Sequence, residues 1–149
     1  MSEVKDLLKL KKNARMITVR FFSHKANNIF ERTLIVKQTE SIPAVIQYFI
    51  DSIGDIDVQH YAIKEVVSVV KESELEIPTK YHRLEHSWGD VVSYIIEYHD
   101  ALGELDEFVV IANVDCDLNL LFEDLKLLVP SIRIVNIYEY KDCWIKRKR

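Results

Sequence analysis

Hydrophobic and polar positions change their spacing several times along the chain, and each change marks a predicted element. Met16–Phe22 and Thr33–Gln38 are short runs rich in β-forming residues, which predicts two strands joined by a polar loop. Between Ser41 and Gly54 the apolar residues recur at helical spacing, with a capping hydroxyl at one end and a glycine at the other. A third strand is predicted at about 58–64.

The second half of the chain repeats this order of elements. Its predicted elements are two strands, a helix and a last strand, at 91–98, 108–113, 118–129 and 132–140. Residues 17–65 can be laid over residues 92–140 without a gap, and the match is one of apolar pattern more than of identity. For residues 65–70 the valines favour a strand by their branching, although helical spacing also fits.

These patterns predict an α+β fold of tandem duplicated β-β-α-β units that form a mixed sheet with two main helices. A short N-terminal helix is added, because apolar residues within 3–13 have helical spacing. We expect one continuous six-stranded sheet with both main helices on one side, so that an edge or an open face is available to a partner. The predicted single compact domain, 1–149, comprises pseudo-repeats at about 16–70 and 90–140, a connector at 71–89, and basic ends at 1–15 and 141–149.

Composition indicates a folded, loop-poor chain. Hydrophobic residues make up 48% and charged residues 30%, with only three glycines and three prolines. The chain has no apolar run long enough for a membrane span, and its polar start lacks the apolar region of a secretory signal, so we predict a cytoplasmic protein without membrane contact. Cys116 and Cys143 form no metal or disulfide pattern, and no cofactor motif is present.

Charge is unevenly distributed, and this suggests the first functional hypothesis. The basic ends carry ten basic and three acidic side chains, whereas the body between them carries ten basic and 21 acidic ones. We therefore predict a non-enzymatic interaction or regulatory protein whose acidic surface or sheet edge binds a protein partner, and a homodimer also fits an available edge. The candidate partner-binding residues are Glu104, Asp106, Glu107, Glu123 and Asp124.

The basic ends suggest an alternative function, nucleic-acid binding. Clustered cations suit phosphate contact, and Trp144 is a candidate stacking platform for a base. The acidic body opposes this interpretation, because it repels a phosphate backbone over most of the surface. The candidate residues are Lys11, Lys12, Arg15, Trp144, Lys146, Arg147, Lys148 and Arg149.

A third hypothesis is a magnesium-dependent enzyme that uses Asp115 and Asp117. These carboxylates follow a predicted strand, which is where open sheets place oxygen-ligand sites. Asp115 or Asp117 also suits the N-terminal cap of the following helix, and capping is the commoner role for aspartate at such a position. His82 and His86, with His99, are candidate zinc ligands by residue type, but the segment lacks a recognised zinc motif.

Overall fold

The computed structural model describes residues 13–71 and 87–147, which form six strands and two helices. In chain order these are β1 (Ala14–Ser23), β2 (Asn28–Lys37), α1 (Ile42–Ile53), β3 (Ile56–Ser68), β4 (Trp88–His99), β5 (Leu105–Asn113), α2 (Leu118–Leu128) and β6 (Arg133–Lys146). The prediction of a mixed α+β fold with two main helices is confirmed. The predicted N-terminal helix and most of the predicted connector lie outside the described residues.

The six strands close into a barrel in the order β1-β2-β6-β4-β5-β3. β1 pairs antiparallel with β2 and β3, and β4 pairs antiparallel with β5 and β6, which gives two three-stranded halves. Two short parallel pairings join the halves, and we call them the seams. The first seam pairs Leu34 with Trp144 and Ile35 with Ile145, and the second pairs Val67 with Val110 and Ser68 with Ile111.

The predicted six-stranded mixed sheet is confirmed, but the sheet closes on itself, which the sequence patterns did not indicate. The closure still leaves long strand edges uncovered. Each seam involves only the last residues of β3 or β6, at Val67–Ser68 and Trp144–Ile145. Within the described part of the chain, residues 133–143 of β6 therefore pair with β4 on one side and with no strand on the other. Such an edge presents unpaired backbone N–H and C=O groups.

Alternating side chains divide the apolar residues among a barrel core and two helix-covered cores. The core inside the barrel includes Met16 and Ile35 from the first half and Val91 and Ile111 from the second half. Neighbouring residues in the same strands point to the other face, as the two-residue period of a strand requires. That outer face is covered by α1 over the first half and by α2 over the second, so both helices lie on the outside of the barrel, each over its own strands.

The two halves contribute side chains to each other's cores. Trp88 and Trp144, from β4 and β6, pack with Phe49 of α1 beneath the first-half helix. In return Val67, at the end of β3, is buried in the core beneath α2. Because these side chains cross the seams, neither helix-covered core is built from one half alone.

Helix ends follow the capping rules that the sequence suggested. Ser41 caps α1, its hydroxyl accepting a hydrogen bond from the Ala44 backbone N–H at 3.4 Å. Gly54 ends that helix at a φ of 82°, a conformation that other residues rarely adopt, and its N–H donates to the Ile50 carbonyl. Capping explains why both helix boundaries lie within a residue or two of the predicted ones.

Strand boundaries differ more from the sequence predictions. β3 is one continuous strand that takes in Val66 and Val67 of the ambiguous segment 65–70 and ends at Ser68. β4 begins at Trp88, within the predicted connector, and β6 continues to Lys146, within the predicted basic end. The physical reason is burial: Cys143 faces the barrel core, and Trp144 faces the core beneath α1, although charged residues surround them in the sequence.

Candidate functional site

The five predicted partner-binding residues lie in a strand, a turn and a helix of the second half. Asp106 and Glu107 are neighbours in β5, and successive side chains of a strand point to opposite faces. The Tyr98 hydroxyl donates to the Asp106 carboxylate at 3.4 Å on the face that α2 covers. Glu123 and Asp124 are exposed on α2 itself, and Glu104 lies in the β4–β5 turn.

Glu107 lies on the opposite face, where the structure adds residues that the sequence analysis did not select. Its direct cross-strand partner in β4 is Glu97, so two carboxylates stand opposite each other. Asn136 of β6 is the partner of Glu97 on the other side, and its amide donates to the Glu97 carboxylate at 3.4 Å. Tyr138, two residues after Asn136 in β6, lies on the same face opposite Ile95. We call Glu97, Glu107, Asn136 and Tyr138 the acidic face.

Repulsion between the carboxylates of Glu97 and Glu107 destabilises the acidic face when no partner is bound. Like charges directly opposite in an antiparallel pair are destabilising. No lysine or arginine of the described residues forms a salt bridge with Glu97 or Glu107. Burial, followed by the nearby charges of Glu97 and Glu107, raises the pKa of the Tyr138 hydroxyl above its ordinary value. The arrangement is therefore suited to receive a cation or a hydrogen-bond donor.

The free edge of β6 borders this face and carries exposed apolar side chains. Two residues of β6, Val135 and Tyr140, have no partner in β4, because the pairing register shifts at each of them. They are bulge residues, and a bulge bends its strand and redirects side chains. Val135 is 52% exposed, Tyr140 46% and Tyr138 39%, so the edge offers apolar surface beside the carboxylates.

The two aspartates proposed as magnesium ligands have different environments. Asp117 is the N-terminal cap of α2, and its carboxylate accepts a hydrogen bond from the Asn119 backbone N–H at 2.8 Å. Asp115 is exposed in the turn before the helix. Within residues 13–71 and 87–147, no group of three or more histidine, cysteine or acidic side chains is arranged to hold a metal ion. His99 instead contacts the Gly103 carbonyl at 3.0 Å, and His82 and His86 lie outside the described residues.

Several of the predicted nucleic-acid-binding side chains are engaged within the protein. Arg15 forms an ion pair with Glu65 at 3.1 Å, and Lys146 forms one with Glu40 at 3.2 Å. Trp144 packs in the core beneath α1, where the guanidinium of Arg32 lies 5.5 Å from its ring centre, so that face is already occupied. Lys11, Lys12, Lys148 and Arg149 lie outside the described residues.

The inner ends of both basic segments nevertheless meet in space. Asn13 and Ala14, where the N-terminal segment enters β1, line the same cavity as Lys146 and Arg147 at the end of β6. Arg147 is held there by a hydrogen bond from its Nε to the Trp88 carbonyl at 3.2 Å. The sequence alone does not predict this convergence, because it depends on the β2–β6 seam.

Comparisons of the chain with protein-family models, with curated proteins and with solved structures give no significant match. In the described parts of the chain, neither helix has the length and apolar character needed to cross a membrane. The features of the molecule that bear on its function are therefore the acidic face, the free edge of β6 and the cavity at the basic ends.

Proposed function

We propose that this is a non-enzymatic, cytosolic interaction or regulatory protein that binds an extended segment of a protein partner along the free edge of β6. The observation that carries the proposal is the adjacency of an unpaired strand edge and the carboxylate pair of Glu97 and Glu107. Backbone groups at such an edge bind a further strand, and side chains of the neighbouring face select its sequence.

The chemistry of the acidic face defines the segment expected to bind. A lysine or arginine on the added strand, directed over Asn136, would relieve the repulsion between the two carboxylates. Apolar or aromatic side chains would pack against the exposed parts of Tyr138 and Tyr140. The expected ligand is therefore an extended segment that combines basic with apolar residues.

Selection from a displayed library of random peptides tests this proposal, with affinities then measured by fluorescence anisotropy on the full-length protein. We expect the selected peptides to be rich in basic and β-forming residues. Glu97→Lys should weaken binding by about tenfold, since a charge-assisted contact contributes roughly 1.5 kcal/mol. Glu107→Lys should weaken binding less, because β5 lies one strand further from the free edge than β4. Glu107→Lys should at the same time raise stability by a few tenths of a kcal/mol, because it turns a like-charge pair into an opposite-charge pair.

Glu123→Lys and Asp124→Lys are the matched controls, because they make the same change of charge on the exposed side of α2. They should change the affinity less than twofold. An equal loss of affinity in all four variants would indicate a general effect of charge rather than a specific site. Binding that is insensitive to Glu97→Lys, Glu107→Lys and Tyr138→Lys would overturn the proposal. Concentration-dependent sedimentation that Tyr138→Lys abolishes would identify a second copy of the chain as the partner.

Nucleic-acid binding is a second candidate, supported by the convergence of the two basic ends at one cavity. Because Arg15, Lys146, Arg147 and Trp144 have partners within the protein, this mode depends most on Lys11, Lys12, Lys148 and Arg149. It predicts salt-sensitive binding of an oligonucleotide that is lost when these four residues are replaced by alanine. Binding unchanged by those replacements would exclude this mode.

We also propose that the chain arose by tandem duplication, and the strand registers support this. In the first half Ala14 pairs with Lys37 and Val66, and in the second half Val91 pairs with Asn113 and Cys143. The same match also relates the two seams to each other. It places Ile35 on Ile111, whereas the gap-free overlay of the two sequences places Ile35 on Val110. Single-copy relatives should then pair as twofold dimers through the same seams, and a different pairing would contradict the proposal.

A further inference from the structure

A cavity of about 630 Å³ opens at the end of the barrel where β2 meets β6. Its apolar wall includes Ala14, Ile35, Val70 and Ile145, all of which belong to or pack against the core inside the barrel. This volume lies within the range typical of small-molecule sites, and the mouths of β-barrels are frequent places for them. The wall offers an aliphatic group apolar contact on the side of the barrel core.

The rim of the same cavity is cationic. Lys37, Lys146 and Arg147 line it, and Glu40 is the one carboxylate among its described lining residues. The Lys146 ammonium lies 3.2 Å from the Glu40 carboxylate and 4.7 Å from the centre of the Tyr48 ring, which fixes it at the opening. Lys37 is exposed at the end of β2, and no residue of the described chain forms an ion pair with it. The rim therefore has an excess of positive charge that faces an apolar wall.

We propose that this cavity binds a small amphiphilic anion, specifically a medium-chain alkyl carboxylate, with its chain against the apolar wall and its carboxylate at Lys37 and Arg147. The apolar wall favours burial of the chain, since each methylene removed from water contributes favourably. The sign of the rim charge then selects an anionic head group over a cationic one with the same chain. This site is separate from the acidic face, so it does not depend on the proposed function.

Titration of the full-length protein with decanoate, below the concentration at which it forms micelles, tests the proposal. Amide NMR signals of residues 35–37 and 145–147 should shift, and the binding isotherm should saturate. Decyltrimethylammonium, which has a chain of the same length and the opposite charge, should bind about tenfold more weakly or not measurably. Acetate, which lacks the chain, should produce no saturable shift.

Two variants and one control locate the site. Lys37→Glu should weaken decanoate binding by about fivefold to tenfold. Val70→Phe should fill the cavity and abolish binding, with an unchanged dispersion of the other amide signals as the check on folding. Lys25→Glu makes the same change of charge in the β1–β2 turn, at the other end of β2, and should leave binding unchanged.

Two results would contradict the proposal that the cavity binds an alkyl carboxylate. Decanoate binding that survives both Lys37→Glu and Val70→Phe would place the ligand elsewhere and overturn the proposal. Absence of saturable shifts would also overturn it. If nuclear Overhauser contacts then joined side chains of residues 1–12 to Ile35 or Val70, the occupant of the cavity would be the N-terminal segment of the chain itself.

Discussion

The Asp117 side chain stabilises the start of α2 by accepting a hydrogen bond from the Asn119 N–H. Asp117→Ala should lower the free energy of unfolding by about 1 kcal/mol, because it removes the cap, and Asp117→Asn should cost much less. Urea denaturation measures both changes. Asp115→Ala is the control two residues away, and a loss at Asp115 equal to that at Asp117 would show that capping is not the explanation.

The protonation of Cys143 makes the free energy of unfolding depend on pH in the alkaline range. Burial raises the pKa of its thiol from 9.0 to about 11. The folded state therefore retains this proton more tightly than the unfolded state, so the stabilisation is full below pH 9 and is lost as the pH rises to about 11. Unfolding free energies measured across this window should fall with pH, and Cys143→Ala should make the decline shallower.

Thiol labelling of the native protein checks the same environment independently. At pH 8 the partly exposed Cys116 should react with a thiol reagent, whereas the buried Cys143 should react only after denaturation. Equal rates at the two cysteines would contradict the assignment of Cys143 to the barrel core.

At the scale of elements, β6 connects the two halves of the molecule. Its residue Trp144 packs beneath α1, against Phe49 and Trp88. Trp144→Ala should therefore destabilise the protein by about 2–4 kcal/mol, as expected for a large aromatic side chain removed from a packed core. Tyr140→Ala, an exposed position in the same strand, should cost less than about 1 kcal/mol in the same urea titration. Similar losses at the two positions would contradict this packing.

The elements were predictable to the extent that local pattern determines them. The span from Ser41 to Gly54 contains its own start, stop and apolar stripe, and the structure places α1 between these two residues. The end of β6 was not predictable, because Trp144 and Ile145 lie between charged residues and their burial depends on strands from the other half. Local pattern carries no information about a seam that is formed by two residue pairs.

At the scale of the whole molecule, exchange of core residues across the seams should make unfolding cooperative. Trp88 and Trp144 both report on the core beneath α1, and amide signals of β4 and β5 report on the second half. Denaturation followed by tryptophan fluorescence and by these amide signals should give coincident transitions. Two separated transitions would mean that the halves are independent domains.

The candidate site was only partly predictable for the same reason. Glu107 was selected from composition, but its neighbours Glu97, Asn136 and Tyr138 come from strands that the sequence does not align with one another. Strand alternation could have separated Asp106 from Glu107, because adjacent strand residues must point to opposite faces. Identification of the full acidic face required the pairing registers of β4 with both of its neighbours.

Both seams join a strand of the first half to a strand of the second half, and this has a consequence for concentrated solutions. Two molecules that exchanged their second halves would restore the strand pairings of both seams and the core contacts of the described residues across them. Refolding at high protein concentration thus offers an intertwined dimer as a competing product, and the length of the chain between β3 and β4 sets the balance between the two forms.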